Sequence, residues 1–287
     1  MPSPKIETSA EPSAAPETSE KKETAGSFAR FLFSLAIVAW AVRSLLIQPF
    51  YIPSGSMLPS LFIGDYLAVA KWPYGYSRYS FPWSVPPFSG RVLGHLPTRG
   101  DVVVFRLPSE NADLIKRVIG LPGDVVEVRA GRVILNGKVL AHRAAPPFAM
   151  PVGPNSPCRV IPPSRPHVVI QHGSPYCLYP AAIETLPGGP SYTVLDQVPD
   201  SPGDNVAPMR VPAAHVFVMG DNRDDSLDSR FPLEEGGVDM LPVEDLIGRA
   251  EITFWSTDGS ASYVKPWTWF SALRSSRIGN AYTEGRE

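Results

Sequence analysis

The chain has 287 residues, 44% of them hydrophobic and 19% charged, which allows one large domain or two and excludes global disorder. A net charge of −2 gives no reason to expect nucleic acid as a partner, and two cysteines exclude a disulfide scaffold while allowing one bridge. Thirty-three prolines, more than twice the average usage, predict short strands and loops rather than long helices.

Residues 1–26 are a tail of Ser, Pro, Glu, Ala and Lys without hydrophobic periodicity, expected to be disordered. Its glutamates argue against a transit peptide. Residues 27–48 hold the candidate membrane anchor. The uncharged run 31–42 is too short for a bilayer core. The segment spans only if Arg30 and Arg43 lie near its ends and snorkel to the interfaces. The rival is a cleaved secretory signal with Lys21, Lys22 and Arg30 as its basic end and Ala39-Trp40-Ala41 as its cleavage triplet. That triplet lies inside the apolar run, which favours an uncleaved anchor. The excess of basic residues before the run puts the N-terminus in the cytoplasm and everything after Gln48 on the outer side.

Next comes Pro53-Ser54-Gly55-Ser56-Met57-Leu58-Pro59-Ser60-Leu61. Two prolines and a glycine forbid a helix, so Ser54 and Ser56 lie on a constrained turn ahead of an alternating strand at 65–70. A serine held that way is either a turn former or a nucleophile awaiting a base. The aromatic stretch 72–88 is either a loop folded on itself or an aromatic tip in a membrane interface. Strands are predicted over 102–105, 114–119, 125–128 and 132–135, with turns at Ala130-Gly131 and Asn136-Gly137. Residues 49–140 form the first part of an antiparallel core. Residues 141–212 are rich in proline and short runs and read as an inserted satellite lobe. They carry Cys158, His167, His172 and Cys177. Residues 213–287 complete the core with strands at 216–219 and 246–255. The end of the chain, with Trp267, Trp269, Arg274 and Arg277, is a basic amphipathic helix on a membrane surface or a fraying terminal helix.

Ser56 needs a base, and none of the five histidines stands in a motif with an acid or a nucleophile. There is no G-x-S-x-G. Lys116 is the better base, because period two puts it between Leu114 and Val118 on an apolar strand face, where desolvation lowers its pKa. The bland alternative is a snorkelling strand lysine. The acidic run 220–230 fails as an EF-hand loop, having Arg223 at its third site and Pro232 at its twelfth. Arg223 and Arg230 suggest internal ion pairs instead. On the outer side of a membrane Cys158 and Cys177 are expected to form a disulfide. A zinc site with His167 and His172 is the rival, though it lacks a C-x2-C knuckle.

Four blocks in order resemble type I signal peptidase, the membrane-bound leader peptidase of bacteria. These are Ser54-Gly55-Ser56-Met57 with Pro59, Arg99-Gly100-Asp101-Val102-Val103-Val104-Phe105, Lys116-Arg117 with Gly120-Leu121-Pro122-Gly123-Asp124, and Gly220-Asp221-Asn222-Arg223-Asp224 through Ser226, Asp228, Ser229 and Arg230. The resemblance implies a mainly β fold of coiled antiparallel sheets around a small barrel-like core, behind one N-terminal transmembrane helix. It implies a serine endopeptidase that removes signal peptides from exported preproteins, with Ser56 as nucleophile and Lys116 as general base. The Ser56 N–H and the Ser54 hydroxyl would form the oxyanion hole, Ser226 would orient Lys116, and Asp228 and Arg230 would brace the site. No cofactor or metal is implied. The partners would be preproteins with small residues at the first and third positions before the cut, together with membrane lipid. The location would be the bacterial cytoplasmic membrane, with the catalytic domain on its outer, periplasmic side. Asp225 stands where that family carries Asn, a change expected to matter little. Alternatives are a specialised Ser-Lys peptidase or self-cleaving repressor, the latter lacking a DNA-binding pattern, and an anchored binding protein that has lost catalysis. The joint presence of Ser56, Lys116 and Ser226 argues against the last.

Overall fold

The structure, a computed structural model, describes residues 25–159, 161–162, 165, 167–262 and 264–283. Residues 1–24 of the tail expected to be disordered lie outside the described residues, and residues 25 and 26 begin a helix. The chain divides into two units, residues 1–39 and 40–287. Helix α1 (Ala25–Ala41) continues through one π-helical turn, Val42–Leu46. By length and composition the resulting 21-residue helix Gly26–Leu46 is apolar enough to cross a membrane, and nearly all of it is exposed.

The second unit is mostly β, with antiparallel sheets throughout. Its first strands are β1 (Ile47–Tyr51), β2 (Asp65–Ala70), β3 (Val102–Leu107), β4 (Ala112–Gly120), β5 (Val125–Arg129), β6 (Arg132–Leu135) and β7 (Lys138–Val139). Then come β8 (Ala141–Pro151), β9 (His167–Gln171), β10 (Ser174–Thr185), β11 (Ser191–Leu195) and β12 (Val206–Arg210). The last are β13 (His215–Met219), β14 (Leu241–Pro242) and β15 (Leu246–Ser256). The main sheet has seven strands in the order β1-β2-β15-β3-β4-β13-β14. A second sheet joins β8, β9 and β11 to β10, and a third runs β12-β5-β6-β7.

The tight hairpins arise where the sequence places them. Ala130 and Gly131 both take positive φ between β5 and β6, as do Asn136 and Gly137 between β6 and β7, the geometry of two-residue hairpin turns. The valines of β3 are buried on both faces: Val102 and Val104 pack with Met57, Leu61 and Ile115, while Val103 and Phe105 pack with Val118, Val218 and Leu246. A strand covered on both sides reads as a continuous apolar run, which is how 102–105 is written.

The stretch 141–212 is less broken than its prolines predict. Strands β8 and β10 are 11 and 12 residues long. Their register jumps between Tyr179↔Phe148 and Ala181↔Ala145, leaving Pro146, Pro147 and Pro180 in a bulge where no ladder N–H is required. Nor is the stretch all one lobe, because β12 pairs with β5 in the third sheet. Cys158 and Cys177 are joined by a disulfide with Cα atoms 5.7 Å apart. The zinc alternative thereby loses both its thiolates.

Among the described residues the stretch 267–278 forms no continuous amphipathic helix. Helix α2 (Thr268–Ser271) is a single turn. The two arginines after it turn inward, Arg277 Nη2 lying 2.7 Å from the fully buried Asp65 and Arg274 donating to the Ser256 hydroxyl. The charges that suggested a membrane face therefore serve packing, while Trp267, Trp269 and Phe270 remain exposed. In the aromatic stretch 72–88 several rings pack on the loop itself. Tyr74 is buried and donates to Asp101, Phe81 lies against Tyr76 and Phe88, and Trp83 is 89% exposed.

Candidate active site

The turn carrying Ser54 and Ser56 leaves β1 and returns into β2. Met57, Leu58 and Leu61 anchor it in the core, and Leu58 N–H and Leu61 N–H donate to the carbonyls of Gly55 and Met57 at 3.1 and 2.9 Å. Ser56 is thus held by residues that cannot leave the interior. Lys116 lies on β4 opposite Val103 of β3, in the middle of the main sheet. Its Nζ is 3.1 Å from Ser56 Oγ. Lys116 is 4% exposed and Ser56 7%. Ser54 Oγ is 3.5 Å from Ser56 Oγ on the exposed rim of the turn.

Burial pushes the Lys116 ammonium below the usual lysine range. Asp228 opposes this by favouring the charged form, Arg230 assists it, and Asp225 and Asp221 act in the same sense as Asp228. Asp228 is itself fully buried. Burial alone would raise its carboxyl, but Arg230 outweighs that and holds it below the usual carboxylate range. Arg230 Nε and Nη2 donate to its two oxygens at 2.9 and 3.0 Å, and the Gly220 N–H and Ser226 Oγ add bonds of 2.9 and 2.8 Å. With both oxygens taken by these donors, Asp228 sits near Lys116 and makes its hydrogen bonds to Arg230, Gly220 and Ser226.

The segment 220–230 is built against the serine turn. A Cβ at Gly220 would collide with Ser226 Oγ and the Ser56 carbonyl, so only glycine allows the approach. The Asn222 N–H donates to the Ser56 carbonyl and Asn222 Nδ2 to the Gly55 carbonyl, each at 3.0 Å. Asp221 takes a two-pronged contact of 2.8 and 2.6 Å from Arg117, which leaves β4 on the side away from Lys116. Arg223 reaches into the second sheet and pairs with Glu184 of β10, Nη1 to Oε1 at 2.8 Å. Burial would raise the Glu184 carboxyl, but Arg223 pulls it down to about 2.

The structure therefore brings Ser54, Ser56 and Lys116 together, with Ser226, Asp228 and Arg230 beside them. The hydrogen bond expected between Ser226 and Lys116 is not formed among the described residues. Ser226 Oγ donates instead to Asp228, a charged and better acceptor than a neighbouring amine. The histidines make their polar contacts elsewhere, His142 with Glu184 and His215 with the Ala213 carbonyl. Sequence reasoning missed Asn222, Glu184 and Arg159. Asn222 stood inside a recognisable block, but nothing in one sequence says that its side-chain amide and its backbone N–H hold the carbonyls of Gly55 and Ser56. Arg159 had a faint signal, since Asp225 adds an acid to a buried site and buried acids require a cation.

A family model described as signal peptidase, peptidase S26, matches residues 25–255. The chain belongs to this family. As a member of peptidase S26 it is a serine peptidase, a hydrolase. It is 32% identical over 281 residues to the signal peptidase I of Rickettsia typhi, covering 91% of this chain and 95% of that one. The signal peptidase I of Rickettsia canadensis is 31% identical over 282 residues, with the same coverage. A crystal structure of a signal peptidase I from Enterococcus faecalis aligns with 54% of this chain and 97% of its own, at 21% identity and a TM-score of 0.29.

Proposed function

We propose that this chain is a membrane-anchored signal peptidase that cuts exported preproteins with Ser56 as nucleophile and Lys116 as general base. The observation that carries this is the buried contact of 3.1 Å between Lys116 Nζ and Ser56 Oγ. A lysine with a lowered pKa supplies a neutral amine, to which the Ser56 hydroxyl donates its proton as Oγ attacks the scissile carbonyl. The tetrahedral oxyanion would be met by the Ser56 N–H and the Ser54 hydroxyl. Lys116 would then protonate the leaving amine and activate the water that releases the acyl group. Asn222, pinned to the Gly55 and Ser56 carbonyls, and Asp228 with Arg230, fixed behind Lys116, would hold these groups in place.

The substrate would lie along the site as an added strand, with small residues at the first and third positions before the cut. Helix Gly26–Leu46 would anchor the protein in the cytoplasmic membrane, with its basic flank inside and the peptidase unit outside, where signal peptides emerge.

The full chain in detergent should cleave a peptide carrying an A-x-A site at its C-terminal alanine. Replacing that alanine by a bulky residue should lower kcat/KM by about 100-fold, if the site takes small residues there. Cleavage indifferent to that residue would refute the substrate assignment, and Ser56→Ala provides the blank.

A further inference from the structure

Arg159 lies over the nucleophile turn although it comes from the stretch 141–212. It is positioned twice from β10: the preceding residue Cys158 is bridged to Cys177, and its own N–H donates to the Tyr179 hydroxyl at 2.9 Å. Its side chain crosses Gly55 so closely that a Cβ there would lie 2.7 Å from Arg159 Cδ. Beyond Gly55 its guanidinium forms a two-pronged ion pair with Asp225, Nη2 to Oδ1 at 2.7 Å and Nε to Oδ2. Asp225 also meets Asn222 Nδ2 at 3.4 Å, the amide that holds the Gly55 carbonyl. Arg159 therefore touches both the backbone beside Ser56 and the loop that fixes it.

The charges acting on Lys116 are Asp228, Arg230, Asp225 and Asp221. Asp228 is paired with Arg230 and Asp221 with Arg117. Among the described residues the cation paired with Asp225 is Arg159. An unpaired carboxylate here would stabilise the ammonium form of Lys116 and would be free to turn toward it.

We propose that Arg159 is a positioning residue of the active site: carried over the Ser56 turn by the Cys158–Cys177 bridge, it takes up the Asp225 carboxylate and weakens the pull of that charge on Lys116. The inference rests on Lys116 being the base. It gives the disulfide-bridged segment a part in the chemistry, and it makes Asp225 tolerable beside a lysine that must be neutral.

The test is the pH profile of kcat/KM for the full chain in detergent and its variants, on one A-x-A peptide. Arg159→Gln should displace the acid limb to higher pH and lower kcat/KM at neutral pH about three- to tenfold, since one unit of displacement is about tenfold. Asp225→Asn, which leaves Arg159 unopposed, should move the limb to lower pH. The double variant should return it to the parental position. A merely structural arginine would scale the whole profile down without moving the limb, and the double variant would be no better than the single. Either result overturns the proposal. If Arg159→Gln does not fold, the limb of Asp225→Asn decides, and its failure to move is equally contrary. Ser56→Ala and Lys116→Arg are run alongside. Activity in Lys116→Arg defeats the underlying mechanism, whereas two inactive controls with an unmoved Arg159→Gln limb defeat only this inference.

Discussion

Lys116→Arg is expected to cleave no more substrate than Ser56→Ala, a loss on the order of 10⁴-fold or more. The guanidinium places a permanent cation of similar reach near Asp228, and it cannot lose its proton at any accessible pH. If Lys116 acted only as a fixed positive charge, the substitution would be mild. If it removes the Ser56 proton, no activity should survive at any pH. Thermal melting should show that the variant remains folded, because inactivity of an unfolded chain would not bear on the mechanism. Cleavage by purified Lys116→Arg clearly above the Ser56→Ala blank would contradict the role of Lys116 as base.

Asp228→Asn is expected to be the most destabilising change near the site, costing about 3–5 kcal/mol, because it leaves Arg230 charged and uncompensated in the interior. The same carboxylate accepts from the Gly220 N–H and the Ser226 hydroxyl, so its loss should also loosen the loop that holds Ser56. Denaturant unfolding measures the first effect and kcat the second. An unfolding midpoint equal to the parent would show that the pair contributes nothing. The pH dependence has a definite sign. The folded carboxyl titrates below the unfolded one. Its stabilisation is therefore complete above the unfolded value of about 3.9 and lost as pH falls through the folded value. Lys116 works oppositely. Its folded pKa lies below the unfolded one, so its penalty is full below the folded value and fades as pH rises through about 10.4.

Much of this was written in local pattern. The unbroken apolar run of β3, the positive-φ pairs Ala130-Gly131 and Asn136-Gly137, and the apolar face around Lys116 follow from residue spacing, and the structure contains each. The prolines of 141–212 misled because proline forbids a ladder bond at its own position but not a strand around it. A bulge accommodates Pro146, Pro147 and Pro180 within two long strands. Arg274 and Arg277 misled because a basic residue near a tryptophan looks the same whether its charge faces lipid or a buried Asp65. The contacts of Asn222, Glu184 and Arg159 were illegible for a different reason. Each joins elements far apart in the chain, and no local period records which distant carbonyl or carboxylate a side chain will meet. The disulfide was expected from topology alone. Its placement of Arg159 over Gly55 emerges only in three dimensions.

If the neutral amine of Lys116 takes the proton of Ser56, the titration of Lys116 and the rate must run together with pH. The ε-carbon resonance of Lys116, assigned by its absence in Lys116→Arg, can be followed with pH in the full chain. The acid limb of kcat/KM is measured under the same conditions. Lys116 is expected to titrate below the ordinary lysine range, coincident with the limb. A Lys116 that titrates at about 10.4, while activity is already complete at lower pH, would contradict that proton transfer.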